Sequence, residues 1–243
     1  METEVLHGIF LVLIGMGAGF VQRVSGFGMG IFAMLFLPHF LPDHTAAAAI
    51  SSLFACATTT YNALRYRKHI QYKTALPMIC AALLTIPIAV ACSAAVSARV
   101  FELLLGGVLI LLSLYFLFFN ARIHIRPTFG SGLAAGALGG TLGGLFSTGG
   151  PPAVLYLSSA TGDNMAYFAT IQFYFCFTNW YATGNRAISG QLTGQVLLYG
   201  LIGIVGCMAG DFIGKAVFKK LDGKKLKLVI YLGMILSGIV MFF

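Results

Sequence analysis

Two glycine-rich breaks carry the residue types in this chain best suited to chemistry. The first reads Ser25-Gly26-Phe27-Gly28-Met29-Gly30 and the second Ser147-Thr148-Gly149-Gly150-Pro151-Pro152. Glycine lets a backbone leave helical geometry and approach a ligand closely. A helix that restarts after such a break presents free N–H groups and a positive dipole end, which together suit an anion. Pro151 and Pro152 fit the first turn of a restarted helix, where a backbone N–H has no partner to lose. Ser25, Ser147 and Thr148 put hydroxyl donors at the same points. The backbone at Gly26, Gly28 and Gly30, and at Gly149 and Gly150, is therefore the candidate anion-binding surface. Glycines also serve tight helix packing through small-xxx-small contacts. With 30 glycines in the chain, that use accounts for many of them, Gly136, Gly140 and Gly144 included.

Other polar residues stand near these breaks or inside apolar runs. Arg23 follows Gln22 just before the first break. An arginine inside a membrane protein is costly and as a rule functional, and its planar fork matches two oxygens of an oxyanion. The other reading of Arg23 is a side chain that snorkels to the headgroups. Gln172 and Asn179 lie two turns apart on one helix face and offer amide N–H groups to an anion or to a neighbouring helix. Thr58, Thr59 and Asn62 raise the same choice. Asp43 and Asp163 each precede an apolar run as N-caps would. Asp211 sits well inside a late run, where it serves either a coupled proton or an ion pair with Lys215 one turn on. Histidines 7, 39, 44, 69 and 124 fall near run ends. No P-loop, HExxH, GxSxG or CxxC pattern is present. An enzyme, a metal site and a cofactor are not expected. The five cysteines, Cys56, Cys80, Cys92, Cys176 and Cys207, all lie in apolar runs and read as buried, inert thiols.

The elements that must position these residues follow from composition. The 243 residues are 58% hydrophobic and only 9% charged, with a mean hydropathy of +0.90. A soluble domain carries roughly a quarter charged residues. A soluble enzyme, a nucleic-acid-binding domain and a disordered chain are thereby excluded, and the solvent over most of the length is lipid. Long unbroken apolar runs point to helices, since a β-barrel would alternate. Ten runs cover about 5–22, 27–41, 44–64, 74–96, 99–119, 128–146, 149–161, 163–183, 192–214 and 226–243. At about 20 residues per crossing, the second and seventh are too short for an untilted span, and each follows one of the glycine-rich breaks. They read as broken or re-entrant helices beside eight long ones. The acidic start, Met-Glu-Thr-Glu, does not suit a signal peptide, so the first run reads as a retained helix.

The two breaks lie about half the chain apart. Asp43 is answered by Asp163, and Arg65 by Arg186, in the corresponding places. The chain thus reads as one transmembrane domain, 1–243, holding two five-segment repeats, 1–120 and 124–243. Placing the basic residues by side tests this order. One side receives Arg65, Arg67, Lys68, Lys73, Arg122, Arg126, Lys215, Lys219, Lys220, Lys224, Lys225 and Lys227; the other receives only Arg99 and Arg186. The first side is then cytoplasmic, and both termini are periplasmic. An odd number of segments per half inverts the second half against the first. Inverted halves with matched broken helices are the pattern of secondary transporters.

The same residues resemble the TauE/SafE-type sulfite exporters. The resemblance rests on Gly26-Phe27-Gly28-Met29-Gly30 followed by Pro38, and on Gly149-Gly150-Pro151-Pro152, and it spans nearly the whole chain. The first break departs from the run of adjacent glycines that many members carry there. The resemblance implies an all-α, multi-pass permease of the bacterial inner membrane that exports sulfite or a small organosulfur anion. It implies that the loop residues of the two breaks line the substrate site. On this reading Arg23, Ser25, Gly26, Gly28, Gly30, Ser147, Thr148, Gly149, Gly150, Gln172 and Asn179 bind the anion. The partners are that small anion and the lipid bilayer, with no nucleic acid. A larger organosulfonate or carboxylate as cargo, and a passive anion channel, are the alternatives.

Overall fold

The computed structural model of the chain describes residues 2–41, 43–118, 126–217 and 223–243. Arg122, His124, Lys219 and Lys220 lie outside the described residues. Ten α-helices run in order among the described residues: α1 Glu2–Ser25, α2 Met29–Phe40, α3 His44–Arg65, α4 Tyr72–Ala95, α5 Ala98–Phe118, α6 Phe129–Phe146, α7 Gly150–Ala160, α8 Asn164–Ile188, α9 Gly194–Val217 and α10 Gly223–Val240. They follow the ten apolar runs closely. The main difference is at α8, which continues past the eighth run and takes Arg186 into the helix. Arg186 is therefore not a loop cation on one side of the membrane, as its place beyond the apolar run suggests.

Local signals set several helix starts. The Asp43 carboxylate accepts the Thr45 N–H at 2.8 Å, and Asp163 accepts those of Met165 and Ala166, each at 2.8 Å. Both aspartates thus satisfy N–H groups that a helix start leaves without partners. Thr128 and Ser131 form a reciprocal capping box at the start of α6.

Glycine stripes bring two helix pairs into the closest association in the fold, α1 with α9 and α4 with α6. Gly136, Gly140 and Gly144 of α6 press against Met78, Ala82 and Ala89 of α4. Gly206 and Gly210 of α9 press in the same way against Val12 and Met16 of α1. Such close approach is how helices associate where no hydrophobic effect separates helix from solvent. The packing use of Gly136, Gly140 and Gly144 is thereby seen directly.

Between these pairs, α3 and α8 pack against each other at the centre, and α5 packs on α10. Five helices, α1, α4, α5, α6 and α9, are long and apolar enough to cross a membrane. Their outward faces carry exposed Leu84, Leu111, Leu138 and Leu201. Helices α3 and α8 have the length but not the apolarity. They hold buried Ser51, Ser52, Thr58, Thr59, Asn62, Thr170, Gln172 and Thr178. Cys80 and Cys92 correct the expectation of uniformly buried thiols: both lie on the exposed surface, Cys176 is half-buried, and Cys56 and Cys207 are buried, all five free. An apolar run on an outer helix has one face turned outward, and those two cysteines occupy it.

Candidate functional site

The two breaks meet. Gly28 holds a positive φ of 97° and starts α2, which restarts the helical path left by α1. Ser147 takes a left-handed conformation that ends α6, and α7 begins at Gly150 with proline in its first turn. A Cβ on Gly30 would overlap the Ser147 carbonyl, so no larger residue fits that contact. Phe27 of the first break lies against Gly150 of the second.

A small cavity of about 40 Å³ lies where they meet, on a scale where one water needs about 10–15 Å³. Its wall includes Gly28, Gly30, Ser147, Thr148, Gly149, Gly150 and Asn179. Helices α3 and α8 close it with Thr59, Tyr174 and Thr178. At the helix starts the Met29 N–H is taken by Gln22 and Pro151 and Pro152 carry none, which leaves the Gly30 N–H of α2 and the Gly150 N–H of α7 without intrahelical acceptors at two positive helix ends beside this space.

The hydroxyls around the cavity divide into two groups. Thr59 donates to the Ala55 carbonyl at 2.6 Å, and Thr178 to that of Tyr174 at 3.0 Å. Ser147 shares a 3.2 Å hydrogen bond with Ser52. Thr148 Oγ1 and the Tyr174 hydroxyl are buried with no hydrogen-bond partner among the described residues. Thr148 is 2% exposed and Tyr174 1%. Buried polar atoms without partners are rare and call for an explanation. Two of them belong to residues of one cavity wall. The absence of a side chain on Gly139 leaves room for the Tyr174 hydroxyl.

Four of the residues expected at the site stand elsewhere. Gln172 is fully buried but its amide is committed: it donates to the Gly26 carbonyl at 2.9 Å and accepts from Gln22 at 3.2 Å. Gln22 also accepts the Met29 N–H at 3.3 Å. Gln172 therefore ties the first break in place and does not line the cavity. Asn179 reaches the cavity, yet its amide donates to the Phe175 carbonyl at 2.7 Å. Ser25 donates to the Val21 carbonyl at 2.7 Å and also contacts the Phe27 carbonyl.

Arg23, Ser25 and Gly26 line a different, wider pocket of about 550 Å³, together with Tyr66, Tyr167, Phe168 and Lys215. Arg23 neither snorkels free nor enters the small cavity. Its guanidinium donates to Asn62 Oδ1 at 2.9 Å and to the Tyr66 hydroxyl at 2.7 Å, and it lies 5.2 Å from the Phe168 ring centre. Asn62 passes the interaction on, donating to Asp211 at 3.2 Å. Asp211 thus forms no ion pair with Lys215 among the described residues. At Tyr66, just beyond α3, burial pushes the phenol upward; the guanidinium groups of Arg23 and Arg65 outweigh it and hold the group below its ordinary range.

Gln22, Tyr174 and Thr178 contribute to the site without having stood out in the sequence. Gln22 sits one residue from the conspicuous Arg23, and Tyr174 lies two residues beyond Gln172 in a run dense with aromatics. No group of His, Cys, Asp and Glu able to hold a metal is assembled among the described residues.

Compared with known proteins, residues 11–241 match the family model described as Sulfite exporter TauE/SafE. No curated protein and no solved structure matches the chain. The match covers nearly the whole length, and the chain belongs to the TauE/SafE sulfite exporter family: it is a membrane-embedded protein of a transporter family.

Proposed function

On the premise of that family, we propose that the protein is a secondary permease that exports a small oxyanion, sulfite first among them, by alternating access. The observation that carries this reading is the pair of unpartnered hydroxyls, Thr148 and Tyr174, on a cavity faced by two helix starts. An oxyanion satisfies both kinds of donor at once. It exchanges its hydration for the Gly30 N–H at the start of α2, the Gly150 N–H at the start of α7 and those two hydroxyls. A cavity of about 40 Å³ suits an ion of a few heavy atoms better than an organosulfonate with a carbon chain. The site residues on this reading are Gly28, Gly30, Ser147, Thr148, Gly149, Gly150 and Asn179, with Tyr174 added. Gln22 and Gln172 hold the first break in shape.

Helix pairing supports two inverted five-helix halves. Exchanging each helix for the one five places along turns the α1–α9 pair into the α6–α4 pair, and leaves α3–α8 and α5–α10 as pairs. Helices α2 and α7, of 12 and 11 residues, are each about 17–18 Å long and cannot cross the roughly 30 Å core alone. Each starts from its glycine-rich break at mid-depth and carries the chain back to the side on which its half began, a path supported by the ring contacts of Phe40 with His7 and Phe10, so each half keeps five alternating segments. The distribution of basic residues supports a cytoplasmic side for the wide pocket with Arg23 and Lys215, as the mouth through which the anion arrives. Both termini lie in the periplasm of a bacterial inner membrane. An inside-negative potential drives an anion outward by about 2.3 kcal/mol per charge per 100 mV.

Fluxes of sulfite and of an organosulfonate into liposomes holding the purified protein test the proposal. Saturable sulfite flux with counterflow is expected. Preference for the sulfonate would replace the cargo, and unsaturable conductance would replace the carrier by a channel.

A further inference from the structure

Arg186 and Asp211 are the two charged side chains buried most completely among the described residues, at 0% and 2% exposure. Their situations differ. Asp211 is linked through Asn62 to the Arg23 guanidinium, so that charge is answered. Arg186 meets no carboxylate among the described residues. It donates to Gln191 Oε1 at 2.9 Å and to the Gly144 carbonyl at 2.6 Å, and reaches the Gly143 carbonyl at 3.5 Å. Its Nε has no partner among the described residues. The carbonyls belong to the last turn of α6, whose negative dipole end carries about half a charge and balances the guanidinium only in part. A buried cation left without a counter-charge is costly.

Arg186 does not itself line the cavity but shares a neighbour with it. Gly143, whose carbonyl Arg186 approaches, forms part of the cavity wall, and so does Ala182, one helical turn before Arg186 on α8. We propose that Arg186 is the positioning charge of the anion site: a fixed cation behind the wall whose missing counter-charge is the transported anion itself. This deepens the proposed function and rests on it. The anion touches backbone N–H groups and hydroxyls, which accept neutral polar molecules as readily. Arg186 makes the same pocket favour negative charge, and a doubly charged ion above a singly charged one.

The alternative use of Arg186 is a clamp on the end of α6, and the two uses separate at Gln191. Gln191→Glu places a carboxylate on the atom that already accepts from Arg186, keeping that hydrogen bond while neutralising the cation and giving up the 3.3 Å donation of the Gln191 amide to the Val90 carbonyl. The expected result is a folded protein with a sulfite half-saturation concentration raised at least tenfold. A clamp alone predicts wild-type half-saturation, and that result overturns the inference. Should Gln191→Glu not be recovered folded, Arg186→Lys and Arg186→Gln decide. Half-saturation within about threefold for lysine and at least tenfold higher for glutamine supports the charge role; equal values for the two overturn it. A wild-type protein that moves neither sulfite nor an organosulfonate removes the proposed function and this inference with it.

Discussion

A methyl group added to Gly30 would overlap the carbonyl oxygen of Ser147, so the two broken segments touch backbone to backbone. Gly149 bears the same relation to the Gly139 carbonyl. Gly143 differs: a Cβ there meets Gly149 at ordinary contact distances of 3.8 and 3.9 Å and lies on the cavity wall. Gly30→Ala and Gly149→Ala are therefore expected to lose about 1–3 kcal/mol through overpacking, seen as a lowered melting temperature of the purified protein. Gly143→Ala should fold with near wild-type stability and lose sulfite flux, because it fills space that the ion needs. Equal stability losses in all three variants would contradict this division.

Removing the unpartnered hydroxyls should separate stability from transport. Thr148→Val and Tyr174→Phe each delete a buried polar atom that has no hydrogen bond to lose. Stability is expected to stay level or rise by up to about 1 kcal/mol. Sulfite half-saturation should rise about tenfold per hydroxyl, the worth of one hydrogen bond of about 1.4 kcal/mol. Thermal melts and flux measurements on the same preparations check both signs.

The Arg23–Asn62–Asp211 chain predicts a rescue. Arg23→Gln leaves Asp211 buried with only the Asn62 amide and should lower stability by about 2–3 kcal/mol, the range for hydrogen bonds to charged groups. Adding Asp211→Asn removes the stranded charge and should recover most of that loss. A double variant no more stable than Arg23→Gln alone would break the proposed link between the two charges.

The two capping aspartates should behave as structural residues only. Asp43→Ala and Asp163→Ala each remove acceptors for helix-start N–H groups and are expected to cost about 1 kcal/mol. Sulfite half-saturation should remain at the wild-type value. A shift in that value for either variant would assign the residue a part in transport.

What the sequence makes legible here is periodic or punctuated. Apolar runs gave ten helices because a lipid-facing helix needs length and grease in one stretch, and the glycine-rich breaks marked the cavity because few other residues permit such backbone contact. Burial of a polar side chain is not periodic. Arg186 follows Gly184 and Asn185, a sequence that reads as a loop, and only the packed ends of α6 and α8 reveal that it is enclosed. Gln172 was legible as an interior amide, but its partners, Gln22 and the Gly26 carbonyl, come from a helix about 150 residues away. Whether an amide faces a cavity or a neighbour depends on such distant segments. Tyr174 is distinguished from its aromatic neighbours solely by a hydroxyl that found no acceptor.

The polar interior of α3 and α8 has a consequence for how the protein is made. Each helix holds threonines and amides that are satisfied, or shielded, by the other and by the greasier helices around them. Helix α3 leaves the ribosome about a hundred residues before α8 exists. During that interval Thr58, Thr59 and Asn62 have no completed core to enter, and a lone helix of that composition partitions poorly into hydrocarbon. Its integration must wait, beside the insertion machinery or against α1 and α2, until the second half arrives. The polar residues that pack the centre thus also tie the newborn chain to assembly in a particular order.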